Sequence, residues 1–120
     1  MKVIKSNVEN IESEVVLLYA LTKGKRNTVS VSKLDDEELD VEYPVDVYLL
    51  YEDLNNKGET VTLLSIMSGE RVLTAQSATF QRSFFEILDI VGNRPFSIRV
   101  TDGKTKSDRR FMDCELAALL

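Results

Sequence analysis

The chain has no histidine, no tryptophan and a single cysteine, Cys114, among its 120 residues. Without histidine there is no Ser-His-Asp or Cys-His nucleophile system, no imidazole base and no histidine-rich metal site. A single cysteine cannot form an internal disulfide, and we expect Cys114 to be a small core residue rather than a reactive thiol. The sequence also contains no P-loop, GxGxxG or GxSxG motif. These absences favour a protein that is not an enzyme and that uses no metal or cofactor.

Proline, glycine and long hydrophobic runs are also scarce. Two prolines and five glycines argue against disorder or a repetitive tract. The longest unbroken apolar stretch, Val15 to Leu21, is far shorter than the roughly 20 residues that cross a bilayer. The N-terminus MKVIKSNVENIE lacks the apolar region of a signal peptide. We therefore expect one domain over residues 1–120, in the cytoplasm and without a membrane partner.

The acidic character of the chain is concentrated in one segment. The formal charge is −5, from 20 acids and 15 bases. Six of the acids lie between Asp35 and Glu42, so the rest of the chain has a net charge of +1. The segment has no glycine-marked calcium loop. The segment is interpreted as a solvated acidic loop or helix start, as a partner-binding or DNA-mimicking segment, or as carboxylates that hold magnesium.

Most of the chain has the pattern of short strands separated by turns. The apolar run Glu14 to Leu21 predicts a strand buried on both faces, followed by a turn at Lys23 to Lys25. Alternation predicts a half-buried strand around Val29 and Val31 and a hairpin formed by Val45 to Glu52 and Glu59 to Met67. Along Val45 to Glu52, one face is apolar, and the other carries Asp46, Tyr48, Leu50 and Glu52 and is expected to face solvent.

A change of period marks one helix. Phe80, Phe84, Ile87, Leu88 and Val91 form an amphipathic stripe, with Ser77 as N-cap and Gly92 as the stop. The pattern predicts a helix over about 78–91, followed by a closing hairpin of two strands. This order, mainly β with the helix between strands 3 and 4, favours an OB fold, a five-stranded Greek-key barrel. Other small α+β sandwiches share the order.

Basic residues form two clusters beside this pattern. Lys23, Lys25 and Arg26 fall in the first turn, and Arg94, Arg99, Lys104, Lys106, Arg109 and Arg110 lie in the closing hairpin. In an OB fold these turns flank the nucleic-acid groove. By alternation Phe111 and Tyr48 point outward, where a base could stack on either ring. The alternatives are that the bases are solvated turn residues, that Phe111 packs under a loop or on another subunit, and that Tyr48 is an ordinary cross-strand residue.

The C-terminal half carries a resemblance. The stretch Ser77-Ala-Thr-Phe-Gln-Arg and the helix to Gly92, then Pro95-Phe-Ser-Ile-Arg-Val and Gly103-Lys-Thr-Lys-Ser-Asp-Arg-Arg-Phe-Met-Asp-Cys-Glu-Leu, resemble the single-stranded DNA-binding proteins of lactococcal-type phages. The resemblance covers about residues 60–117. It implies an OB-fold protein that coats single-stranded DNA during phage replication and recombination, in the host cytoplasm, beside an annealing recombinase and commonly as a homo-oligomer. Its groove residues would be the basic and aromatic members of Arg94 to Phe111.

The sequence thus predicts a sequence-tolerant single-stranded DNA-binding protein that assembles as a dimer or tetramer through the edges of the Val45 to Met67 hairpin. Two alternatives stay open. The first is an acidic protein-binding or assembly module, such as a phage structural or host-inhibitory protein, that binds no nucleic acid. The second is a magnesium-dependent nuclease or phosphotransferase, which would use the carboxylates of the acidic segment.

Overall fold

The fold contains eight strands and two α-helices. A computed structural model describes residues 1–120. In chain order the elements are β1 (Lys2–Ser6), α1 (Val15–Thr22), β2 (Thr28–Ser30), β3 (Glu42–Pro44), β4 (Val47–Leu54), β5 (Thr60–Ser68), β6 (Arg71–Ala75), α2 (Ala78–Val91), β7 (Phe96–Lys104) and β8 (Arg110–Leu119). Short 3-10 turns cover Ile11–Ser13, Val31–Lys33 and Asp36–Glu38. The prediction of a mainly β chain is confirmed. The prediction of a single helix is wrong, because the chain forms two α-helices.

The larger sheet has five strands in the order β1-β4-β5-β6-β2. Its centre is the antiparallel hairpin of β4 and β5, in which Val47 pairs with Met67 and Leu54 with Thr60. The predicted hairpin is therefore confirmed. Gly58, in the turn, has a φ of +76°, which glycine adopts without steric cost. Strand β2 pairs in parallel with β6. Residues Lys23 to Lys25 connect helix α1 to strand β2, so the predicted hairpin turn at this position is wrong.

The smaller sheet has three strands in the order β3-β7-β8. The closing hairpin of β7 and β8 is confirmed, with Gly103 paired to Phe111. The chain changes sheets between β3 and β4, because the Val45 N–H donates to Phe96 O at 3.0 Å and the Asp46 N–H donates to Met67 O at 3.0 Å. The two sheets do not close into one barrel, so the expected five-stranded Greek-key barrel of an OB fold is not confirmed.

Helix α2 has the predicted bounds, 78–91. The Ser77 side chain accepts a hydrogen bond from the Phe80 N–H at 3.3 Å, as an N-cap does. Gly92 ends the helix with a φ of +64°. The apolar stripe is buried and packs between the two sheets in the main core. Cys114 lies in the same core, as predicted, and burial raises the pKa of its thiol to about 12.

The predicted strand Glu14 to Leu21 is helix α1. The run is apolar at nearly every position, so it carries no period that separates helix from strand. Leu17, Leu18 and Leu21 pack on the outer face of the larger sheet, while Val16 and Tyr19 are 84% and 63% exposed. The helix satisfies its own backbone, which lets this short segment cover one face of the sheet.

The larger sheet is consequently buried on both faces. Leu49 and Tyr51 face α1 in a small core, and Tyr48 faces α2 and the smaller sheet in the main core. The face of β4 that the alternation predicted to be solvent-exposed is therefore packed. Strands buried on both sides lose the alternation that distinguishes inside from outside.

Candidate nucleic-acid interface

The turn between β7 and β8 is an ordered loop that holds basic side chains outward. The Thr105 N–H donates to Arg109 O at 2.8 Å, and the Asp108 N–H donates to Thr105 O at 2.9 Å. Lys106 and Arg109 are exposed and have no carboxylate partner. Backbone bonds across the turn thus fix its shape while both charges remain available to an anion.

Phe111 lies next to this turn on the outer face of the smaller sheet. Its neighbours along the strand, Arg110 and Met112, point to the other face, and Met112 is buried in the main core. The Phe111 ring lies directly over Gly103 on β7: a Cβ at position 103 would be 2.5 Å from the ring Cζ and 2.9 Å from Cε1. The ring is half-buried, so one side rests on the backbone and part of it faces solvent. A nucleic-acid base can stack on such a surface.

Three of the bases in the closing hairpin already have a carboxylate partner within the protein. Lys104 pairs with Asp108 at 3.5 Å, and Arg99 pairs with Glu42 at 3.4 Å. Exposed pairs of this kind contribute little free energy, so these two bases can exchange their carboxylate for a phosphate. Arg110 is more firmly held.

The Arg110 guanidinium joins two parts of the fold. Its Nε donates to Asp102 Oδ2 at 3.0 Å, and its Nη1 donates to Ser32 O at 2.9 Å. This contact brings Lys33, which is exposed, beside the hairpin. The position of Lys33 beside the hairpin was not predicted from the sequence. Ser32 and Arg110 lie 78 residues apart, and no local sequence pattern predicts a contact between them.

Arg94 lies apart from the hairpin, at the end of α2. Its Nε donates to Val91 O at 2.8 Å and its Nη2 donates to Ile90 O at 2.8 Å. These bonds satisfy carbonyls that a helix leaves without partners in its last turn. Arg94 also lines a groove of about 830 Å³, together with Lys5, Asp46 and Asp89. The Arg94 guanidinium is therefore bonded to the end of the helix, and Asp46 and Asp89 lie in the same groove.

The first basic cluster is on the other side of the molecule. Lys23 forms an ion pair with Asp53, which raises the pKa of the lysine and lowers the pKa of the carboxyl. Asp53 shares the α1 face of β4 by alternation, whereas the β7–β8 hairpin packs against the opposite face. Lys25 and Arg26 follow Lys23 and are exposed. The structure therefore does not place the two clusters along one groove.

Tyr48 is not available for stacking. It is 6% exposed and makes edge-on contacts with the rings of Phe84 and Phe85, at centroid distances of 5.5 and 6.0 Å. Burial raises the pKa of its hydroxyl. The prediction of an outward-facing Tyr48 is wrong because α2 packs on the face that carries it.

Acidic side chains limit how far a nucleic acid could follow the smaller sheet. Asp113 and Glu115 continue the outer face of β8 beyond Phe111, and Glu42 lies on β3. A polyanion is repelled from that end. The favourable surface is the hairpin tip with Phe111.

The acidic segment is folded over the end of the main core. The Asp35 N–H donates to Glu38 Oε1 at 3.0 Å, and Glu38 forms an ion pair with Arg71. The bond from Asp35 and the pair with Arg71 lower the pKa of Glu38. Asp36 and Glu37 remain exposed, and the described residues contain no cluster of metal-ligating side chains.

Comparison with known proteins adds no relative: no family model, curated protein or solved structure matches the chain. Neither α1 nor α2 is long and apolar enough to span a bilayer.

Proposed function

We propose that the protein binds single-stranded DNA without sequence preference at the tip of the β7–β8 hairpin. The observation that carries the proposal is the position of the Phe111 ring on Gly103, next to the turn that carries Lys106 and Arg109, which are exposed and form no ion pair. A base would stack on the ring while the two cations contact the flanking phosphates. Lys104 pairs with Arg110 across the hairpin, so Lys104 and the neighbouring Lys33 lie on the side to which Arg110 points rather than on the Phe111 face. The binding mode requires a hairpin and does not require a closed barrel.

The biological setting of the proposal comes from the resemblance of the closing hairpin to the single-stranded DNA-binding proteins of lactococcal-type phages. In that setting the protein coats single strands during phage replication and recombination in the host cytoplasm, beside an annealing recombinase, and catalyses no reaction itself. The small favourable surface supports a short footprint for each subunit, at the low end of the roughly 4–16 nucleotides of OB-fold proteins.

The test is fluorescence anisotropy of a labelled oligothymidine against a duplex of the same length, at several salt concentrations. We expect salt-sensitive binding of the single strand and weaker binding of the duplex. The Lys106→Ala, Arg109→Ala double variant should flatten the slope of log affinity against log salt by about 0.7 for each phosphate contact that is lost.

A matched control is the Lys25→Ala, Arg26→Ala variant. It removes the same charge, also from exposed residues without ion-pair partners, but on the α1 side of the larger sheet. We expect its salt slope to equal that of the unmodified protein. Equal slopes for both double variants would reject the hairpin as the site, and no binding of oligothymidine at low salt would reject the function.

A second candidate function is a protein-binding module that uses the acidic segment. The observation that favours it is the folded turn Asp36–Glu38, which presents Asp36 and Glu37 to solvent. This module would ignore oligonucleotides at every salt concentration, and its partner would be lost on the Asp36→Asn, Glu37→Gln change. Glu38 stays unmodified in this variant because its pairing with Arg71 is part of the fold.

A further inference from the structure

Four strands lie at sheet edges, and three of them are poorly suited to pairing with another chain. Strands β2 and β3 have three residues each, and β3 ends in Pro44, which has no N–H to donate. Strand β1 has five residues and carries Lys2 and Lys5. Short length, proline and lysine are the features by which proteins protect their edges from one another.

Strand β8 is different. It is ten residues long and pairs on one side only, with β7. In its first half the contacts are made by side chains: the Arg110 guanidinium is bonded to Ser32 O, and the Cys114 N–H donates to Asp113 Oδ1 at 2.9 Å. In its second half the outer edge has no hydrogen-bond partner. There Leu116 and Leu119 are 38% and 51% exposed.

We propose that the segment of β8 from Asp113 to Leu119 pairs with the same segment of a second copy of the chain, antiparallel about a twofold axis at Leu116. An edge strand demands an extended backbone as its partner, and a twofold interface uses the same segment twice. The dimer joins two three-stranded sheets into one of six strands. The sequence predicted that subunits pair through the edges of the Val45 to Met67 hairpin. That hairpin forms β4 and β5, which are both interior strands, so the proposed dimer uses β8 instead.

Charge excludes three registers, and among the others an axis at Leu116 gives the longest overlap of the two strands. Like charges directly opposite each other destabilise a strand pair. An axis at Asp113 or at Glu115 places that carboxylate opposite itself, and an axis at Cys114 places Asp113 opposite Glu115. An axis at Leu116 places Glu115 opposite Ala117, the small residue at the bulge of β8, and Asp113 opposite Leu119. The two Leu116 side chains then cover one another, and the two basic hairpins lie about 40 Å apart at opposite ends.

The first test is sedimentation equilibrium across a dilution series, which should give a mass of twice 13.6 kDa at the higher concentrations. The Leu116→Lys change places two cations on the axis and should leave a monomer with an unchanged circular dichroism spectrum. Leu54→Lys is the control, because Leu54 is also an exposed leucine, 65% exposed, at the end of an interior strand. This variant should dimerise normally. A monomer at all concentrations, or equal dimerisation by both variants, would overturn the proposal.

A second test examines the register without changing the charge. In the proposed dimer Leu116→Cys places two thiols opposite each other, so mild oxidation should give a disulfide-linked dimer. Leu119→Cys should not, because each new thiol lies opposite Asp113. The native Cys114 is buried and does not compete. Linking at position 119, or at neither position, would contradict the axis at Leu116.

Discussion

At the scale of single residues, the Phe111 surface depends on the absence of a side chain at position 103. The ring occupies the space that a Cβ on Gly103 would need, with 2.5 Å between that Cβ and the ring Cζ. An aromatic ring that covers a cross-strand glycine is a known way to stabilise a hairpin. Here the same arrangement orients the ring so that part of it meets solvent.

We therefore expect Gly103→Ala to displace the ring and to weaken single-stranded DNA binding by up to the value of one stacked base, about 1–3 kcal/mol. Because the chain has no tryptophan, a Phe111→Trp variant gives a single emission signal that a stacked base should quench. Adding Gly103→Ala should reduce this quenching. Thr101→Ala, on the same face of β7 but opposite Asp113, should leave the quenching unchanged. Full quenching in the Gly103→Ala variant would disprove the role of the glycine.

Residues whose role is local were predictable, and residues placed by distant contacts were not. The outward direction of Phe111 and the burial of Cys114 follow from alternation along a strand with one covered face. The same alternation gave the wrong direction for Tyr48, because its strand β4 is covered by α1 on one face and by α2 on the other. Lys33 joins the hairpin only through the bond from Arg110 to Ser32, which no pattern in the sequence contains.

At the scale of elements, the two helices differ in how well the sequence predicts them. Helix α2 has a stripe, an N-cap at Ser77 and a stop at Gly92, and its bounds were predicted to the residue. Helix α1 is apolar on nearly every side, so neither its period nor its type could be predicted. Its structure is set by tertiary packing: all three of its leucines pack on the larger sheet, while Val15, Val16 and Tyr19 are exposed.

Arg94 follows α2 and bonds to the carbonyls of its last turn. We expect Arg94→Ala to lower the free energy of unfolding by about 1 kcal/mol, since it removes two hydrogen bonds to the last carbonyls of the helix. Urea denaturation measures this change. Arg82→Ala, an exposed position on the same helix without a hydrogen bond to the rest of the protein, should change it by less. An altered salt slope of DNA binding with unaltered stability would instead return Arg94 to the interface.

At the scale of the whole molecule, two cores share one sheet. Leu49 lies in the small core under α1, and Leu64 lies in the main core, with both side chains fully buried. They occupy neighbouring central strands, β4 and β5. Loss of packing on either face therefore acts on the same hydrogen-bonded ladder, and the two cores should unfold together.

We accordingly expect Leu49→Ala and Leu64→Ala each to lower the free energy of unfolding by about 2–5 kcal/mol. The transitions followed by far-UV circular dichroism and by tyrosine emission should coincide in both variants. Separate transitions in Leu49→Ala would mean that α1 and its core form an independent unit.

The chain passes from the smaller sheet to the larger one between β3 and β4, and this topology also determines the order in which the strands can pair during folding. Strand β3 has its only partner in β7, and the pair Glu42 and Arg99 is separated by 57 residues. A chain still being synthesised can assemble β4, β5 and β6 from neighbouring hairpins, but β3 must wait until β7 has emerged. Until then the apolar stripe of α2 has one sheet to pack on instead of two. Contacts this distant in sequence are characteristic of slow-folding domains, so the last third of the chain sets the time at which the molecule becomes complete.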